Sequence, residues 1–168
     1  MMTAFKGNLL DSDCDYICHQ VNCQGRMGSG IAKQIREKWP IVYDCYRAKY
    51  DEAYNEALLS SDGWGALHQK VASMIIGDIQ IIAVDESRFV VNVFAQANYG
   101  YDGKRYTSYD AFADCLMRIK IAVPKGCTIG FPYGIGCGLG GASWKVIHAM
   151  IEDALDEDYD VRIYKLEE

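Results

Sequence analysis

The 168-residue sequence has only three prolines, fewer Lys and Arg (17) than Asp and Glu (23), and no apolar run near the ~20 residues of a membrane-spanning helix. Each shortage excludes something. With half of its residues hydrophobic and 24% charged, so little proline leaves the composition of a globular chain and not of a disordered or fibrous one. A net charge of −6 leaves no broad basic surface, so non-specific DNA or RNA binding is not expected beyond a local basic patch. The first residues, MMTAFKGNLL, lack the basic-then-apolar order of a signal peptide, so a cytoplasmic protein with no membrane contact is expected. The length suits one domain over residues 1–168, large enough to bury a core.

Cysteine is plentiful, but a framework for it is missing. The seven cysteines, at 14, 18, 23, 45, 115, 127 and 137, are odd in number and scattered, which argues against disulfide stapling and for reduced thiols. Cys14, Cys18, His19 and Cys23 lie close together, yet their spacings form no CxxC-type pair and no second ligand pair follows, so no metal is expected. Two nucleotide signatures are absent as well. There is no GxxxxGK[ST], which disfavours a triphosphatase of the P-loop type, and no GxGxxG followed ~20 residues later by an acid, which disfavours a dinucleotide dehydrogenase.

What is present alternates strand and helix patterns. Residues 3–5 and 16–22 read as strands, and from Met27 the spacing of Met27, Ile31, Ile35 and Trp39 is helical until Pro40. A second helix follows over 41–59, then a turn over Ser60 to Gly63. Residues 79–84 and 88–94 form an expected hairpin. Thr107 or Ser108 is placed to cap a helix carrying Phe112, Cys115, Leu116 and Ile119, ended by Pro124-Lys125-Gly126. A strand over 127–131, a helix beginning at Ser143 and a last strand over 161–166 complete the order. Helices crossing between strands predict a sheet sandwiched between helical layers.

Two glycine-rich loops carry the functional signal. Cys23-Gln24-Gly25-Arg26-Met27-Gly28-Ser29-Gly30 lies between a strand and a helix, where glycines allow close backbone approach and the free N–H groups of a helix start suit an anion. A tight turn alone would also use such glycines. The second loop, Pro132 to Gly141, holds Gly134, Gly136, Gly138, Gly140 and Gly141 in the same strand-to-helix setting, and two phosphate-type cradles suggest a diphosphate. Phe94, Phe131, Tyr133, Tyr99 and Tyr101 lie near these loops; Phe94 and Tyr133 are the expected apolar wall for a base or ribose, and Phe131 the expected core residue.

Taken in order, Lys6-Gly7-Asn8-Leu9-Leu10, the run His19 to Ala32, and Ile135-Gly136-Cys137-Gly138-Leu139-Gly140-Gly141 with Trp144 resemble the macrodomain family over nearly the whole chain. The first loop is most similar to the ADP-ribose 1''-phosphate phosphatases, where a comparable His-x-x-Asn-Cys precedes the glycines, and to the terminal ADP-ribose glycohydrolases. The resemblance implies an α/β fold, a three-layer α/β/α macrodomain with a mixed six- or seven-stranded central sheet and ADP-ribose across its strand ends. It places Asn8 and Leu9 at the adenine. It gives the diphosphate to Gly28, Ser29, Gly30 and Ile31 and to Gly134, Ile135, Gly136, Cys137, Gly138 and Leu139, and turns Asn22 toward the distal ribose.

Three departures from the family pattern bear on chemistry. Asn8 stands where many macrodomains carry aspartate, although an amide oxygen still accepts from an adenine amino group. The glycohydrolases that cleave ADP-ribosyl esters or DNA adducts have a lysine after the central strand, and this chain reads Phe94-Ala95-Gln96-Ala97 there. Gly140 and Gly141 stand where an acid often occurs in the second loop. The expected catalytic set near C1'' is therefore Asn22, His19 and Gln96, with His19 as a general base or, if its strand is buried, as a structural donor. The implied activity is hydrolysis at the ribose 1'' position, with ADP-ribose 1''-phosphate favoured as substrate. A non-catalytic ADP-ribose reader, or a hydrolase acting on ADP-ribosylated protein or nucleic acid, is the alternative. No cofactor is expected.

Overall fold

The computed structural model describes residues 2–60 and 63–167. Six strands, β1 (Met2–Lys6), β2 (Tyr16–Asn22), β3 (Ile79–Ala83), β4 (Phe89–Gln96), β5 (Thr128–Pro132) and β6 (Asp160–Lys165), form one sheet in the order β1-β6-β5-β2-β4-β3. Every neighbouring pair is parallel except β3 with β4, which is antiparallel. That makes a mixed six-stranded sheet, within the range the macrodomain resemblance implies. Among the described residues five helices cover it: α1 (Gly30–Lys38), α2 (Pro40–Leu58), α3 (Trp64–Ile75), α4 (Tyr109–Ala122) and α5 (Trp144–Leu155).

The two faces of the central strands explain the three layers. Ile17 and Val21 of β2, with Val90 and Phe94 of β4, face one core together with Ile35, Val42, Tyr46, Leu67 and Val71 from α1, α2 and α3. Cys18 of β2 and Val91, Val93 and Ala95 of β4 face the other, against Phe112, Leu116 and Ile119 of α4 and Ile147 and Ile151 of α5. Strands apolar on both sides are what a mainly parallel sheet covered by helices requires. Each such fully buried aliphatic or aromatic side chain contributes about 1.5–3 kcal/mol relative to exposure.

Helix boundaries follow local chemistry, with corrections to the sequence reading. Pro40 stands at the first turn of α2, where its missing N–H costs nothing, so it starts that helix after the single break residue Trp39. The first helix begins at Gly30, not at Met27, because Ser29 is extended and residues 27–29 form a loop, while Met27 still packs into the core. Ser108, not Thr107, caps α4 by accepting the Ala111 N–H. Helix α3 was not expected: Leu67, Val71 and Ile75, spaced by four, bury one stripe of it. Of the expected turn over Ser60 to Gly63, Ser61 and Asp62 lie outside the described residues. Among the described residues no helix is long and apolar enough to cross a membrane.

Candidate functional site

Parallel strands present their C-terminal ends along one edge, where the following loops splay apart and leave a crevice. Here a cleft of about 700 Å³ opens at that edge. Gly7, Asn8 and Leu9 after β1, Asn22 at the end of β2, Gln96 at the end of β4, Pro132 at the end of β5 and Tyr164 and Lys165 of β6 all line it. The two glycine loops, 28–31 and 134–140, form facing walls, and Tyr99, Gly100 and Tyr101 close one side.

The first loop is held by Asn22. Its Oδ1 accepts from the Gln24 N–H at 3.0 Å and the Tyr46 hydroxyl at 2.8 Å, and its Nδ2 donates to the Arg26 carbonyl at 2.8 Å. One Nδ2 hydrogen remains for a ligand, because an amide nitrogen has two. The loop ends at the start of α1, where Ser29 occupies the cap position with its hydroxyl bonded to no backbone N–H of the helix. The N–H groups of Gly30, Ile31 and Ala32 are orphan donors of the first turn, and the positive end of the helix dipole adds to them. A hydroxyl and a set of orphan N–H groups directed into a cleft form an anion site.

The second loop folds back on itself, with Ile135 N–H bonded to the Pro132 carbonyl, Cys137 N–H to Gly134 and Ala142 N–H to Gly136. Among the described residues the N–H groups of Gly134, Gly136, Gly138, Leu139 and Gly140 have no protein acceptor. Tyr133, 48% exposed at the mouth, is flanked by the Trp144 ring at 5.0 Å and by Lys165 Nζ at 4.8 Å from its centroid. It therefore stands as a fixed aromatic wall. Asn8 caps a short 3-10 turn, Leu9–Asp11, by accepting the Leu10 N–H at 3.0 Å, and still offers Nδ2 and a second lone pair to the cleft.

Three expected site residues do not reach the cleft. His19 is fully buried between β2 and the α1–α3 layer, bonded through Nε2 to Asn92 Oδ1, and burial lowers its pKa to about 4. An imidazole there is a neutral structural donor, which corrects the general-base expectation. Phe94 is also fully buried, stacked 5.7 Å from the Tyr46 ring, because it pairs with core-facing Val21, and a register shift after that pair brings Gln96, not Ala95, opposite Asn22 at the strand end. Cys137 is half-buried behind the loop, its Sγ against the Ile135 carbonyl at 3.4 Å and its thiol pKa raised by burial. Phe131 is core, as expected. Of Cys14, Cys18 and Cys23, all buried, Cys23 is pushed up to about 12 by burial and is held as an inert thiol.

Residues outside the expected site set also line the cleft. Arg26 lines the cleft, is exposed, and has no ion pair among the described residues. Gln20, Gln34, Tyr164 and Lys165 line it too. Gln20, Tyr164 and Lys165 were findable from their places near the C-terminal ends of parallel strands, where α/β sheets bind ligands. Among the described residues no carboxylate, imidazole or thiol lines the cleft; its ionisable groups are Arg26, Lys165 and tyrosines.

The fold has known counterparts. The macrodomain of Mycobacterium tuberculosis DarG superimposes with a TM-score of 0.73 at 19% identity, over 98% of this chain and 97% of that one. This chain has the macrodomain fold. In sequence it is 24% identical over 176 aligned positions to the DNA ADP-ribosyl glycohydrolase of the same organism, covering 98% of this chain and 42% of that protein. It is 25% identical over 180 positions to an Aspergillus oryzae ADP-ribose 1''-phosphate phosphatase, covering 89% of this chain and 87% of the relative. The chain therefore spans less than half the length of the mycobacterial glycohydrolase. No family model matches it.

Proposed function

We propose that the cleft binds ADP-ribose derivatives and hydrolyses the bond at the distal ribose 1'' position, with ADP-ribose 1''-phosphate as the favoured substrate. The observation that carries this reading is the pair of loops, 28–31 and 134–140, which line one cleft and carry N–H groups with no protein acceptor among the described residues. A diphosphate spanning them satisfies donors that otherwise have no acceptor. Asn8 and Leu9 at one end then meet the adenine, and Asn22 and Gln96 at the other meet the distal ribose. The similarity to a phosphatase and to a glycohydrolase, each named for an ADP-ribosyl substrate, supports the same ligand.

Among the described residues no carboxylate or imidazole lines the cleft to serve as a base, so the proposed turnover does not use one. Asn22 and Gln96 are neutral amides already engaged, Gln96 accepting from Gln20 at 2.7 Å and donating to the Asn98 carbonyl at 2.8 Å. They orient; they do not take a proton. In phosphate removal, water oxygen attacks phosphorus, the bond from phosphorus to the 1'' oxygen breaks, and the water's proton passes to that leaving oxygen through the ligand's own phosphate oxygens. Arg26 and the loop N–H groups stabilise the charge that develops. The lack of a base favours slow turnover, and it supports a second reading in which the cleft reads ADP-ribose without altering it.

Calorimetric titration with ADP-ribose, with ATP and NAD as controls, tests binding, and phosphate release from ADP-ribose 1''-phosphate tests chemistry. Preferred one-to-one binding with phosphate release that Asn22→Ala removes supports the enzyme. The same binding with no product supports the reader, and no binding at millimolar ligand overturns both.

A further inference from the structure

Thr107 reaches three parts of the cleft at once. It follows the loop that carries Tyr99 and Tyr101, is 2% exposed, and pairs with Gln96 in an isolated antiparallel bridge. Its N–H donates to the Gly140 carbonyl at 2.9 Å, and its Oγ1 donates to the Gly136 carbonyl at 2.8 Å. The same Oγ1 accepts from Gln20 Nε2 at 2.8 Å, and the other Nε2 hydrogen goes to Gln96 Oε1 at 2.7 Å. The proton order is determined. Thr107 has one hydroxyl hydrogen, spent on Gly136, so Gln20 must present its nitrogen, and Gln20 Oε1 is left buried without a partner.

The glycines of the second loop fit around this side chain. A Cβ on Gly136 would stand 2.9 Å from Gln20 Oε1 and 3.2 Å from Thr107 Oγ1, and one on Gly140 would press on Thr107 Oγ1 and lie 2.6 Å from the Gly136 carbonyl oxygen. The threonine draws the carbonyls of Gly136 and Gly140 back toward β4. A peptide whose carbonyl is held on one side is constrained in where the neighbouring N–H groups point. The donors of Gly136, Gly138, Leu139 and Gly140 carry no protein acceptor and lie on a loop lining the cleft.

We infer that Thr107 is a positioning residue for the anion-binding loop: its hydroxyl, fixed by Gln20, sets the Gly136–Gly140 backbone for a diphosphate and couples that loop to Gln96 at the distal-ribose end. The inference rests on the proposed ADP-ribose site and adds a residue that touches no ligand itself. Neither the turn signals of the loop nor its glycine spacing points to residue 107.

Thr107→Val keeps the side chain's shape and removes the hydroxyl; Thr107→Ser keeps the hydroxyl. Binding of ADP-ribose and of adenosine, and amide hydrogen exchange across residues 134–141 of the ligand-free protein, are measured for wild type and both variants. The valine variant should bind ADP-ribose about tenfold more weakly, as expected from the loss of the bond donated to Gly136 and of the one accepted from Gln20, whose N–H is left unpaired. It should bind adenosine as wild type does, and its loop exchange should accelerate. Serine should restore both. Wild-type affinity and exchange in the valine variant, an equal loss for adenosine, or no rescue by serine overturns the role of Thr107. Failure of wild type to bind ADP-ribose overturns the site reading itself, and the inference with it.

Discussion

The Tyr46 hydroxyl lies 2.8 Å from both the main-chain oxygen and Oδ1 of Asn22, donating to that pair, and accepts the Arg26 N–H at 3.0 Å. One phenol on α2 thus ties the end of β2 to the loop that follows it. Its ring is fully buried against Phe94, and burial raises its pKa, so it stays neutral. Removing the oxygen in Tyr46→Phe leaves the ring packed and the loop untied. The expected loss is about 1–2 kcal/mol of stability, from one buried hydrogen-bonded group, with a several-fold weaker ADP-ribose affinity. Denaturant unfolding and calorimetry check the two effects separately, and an unchanged affinity would show that the loop keeps its shape without Tyr46.

Phe94 and Tyr133 were equal candidates for a ligand wall, and the structure separates them. Phe94→Ala empties a fully buried volume and should cost about 3–5 kcal/mol. Tyr133→Ala truncates a side chain 48% exposed at the cleft mouth and should change stability little while weakening ADP-ribose binding. If the melting temperature of the Tyr133 variant fell as far as that of the Phe94 variant, the assignment of wall and core would be reversed.

His19 gives the fold a pH dependence separate from catalysis. Burial lowers its pKa to about 4 from the 6.5 of a free imidazole, and only its bond with Asn92 opposes that. Between those values the unfolded chain binds a proton that the folded chain refuses. Its contribution is therefore complete above pH 6.5 and is lost progressively as pH falls toward 4, by up to about 3 kcal/mol. Urea unfolding at pH 7 and pH 4.5 should show a larger stability drop in wild type than in His19→Gln, which cannot titrate. Equal drops would remove His19 as the cause.

The layers were legible because alternation is simple where a strand is buried on both sides: 16–22 and 88–94 carried it, and the helix spacing of 109–123 was equally clear. The glycine loops were legible because their composition departs so far from the rest of the chain. What stayed hidden was direction. Phe94 and Gln96 lie two residues apart in sequence, yet a shift in β2–β4 register between Val21 and Asn22 lies where the strand turns from core to cleft. His19 likewise looked like a catalyst beside Asn22, although the period of two that puts Val21 in the core also puts His19 there. Thr107 was read only as a helix cap, since its partners Gln20 and Gly136 are distant in the chain.

Gly28 and Gly140 face the same cleft but meet different surroundings, so one methyl group should act in two ways. A Cβ on Gly28 meets nothing within 4 Å, and the Gly28→Ala variant should fold with wild-type stability while its methyl obstructs the backbone approach of a phosphate, lowering ADP-ribose affinity. A Cβ on Gly140 meets the Thr107 hydroxyl and the Gly136 carbonyl too closely to be accommodated without moving the loop, so Gly140→Ala should cost about 1–3 kcal/mol of stability as well as affinity. Thermal melts of both variants with and without ADP-ribose separate the cases. Gly28→Ala should melt like wild type without ligand and gain less from its addition, whereas Gly140→Ala should melt lower in both conditions. A destabilised Gly28 variant would mean that the first loop is packed and not open, and the anion site would have to rest on the second loop alone.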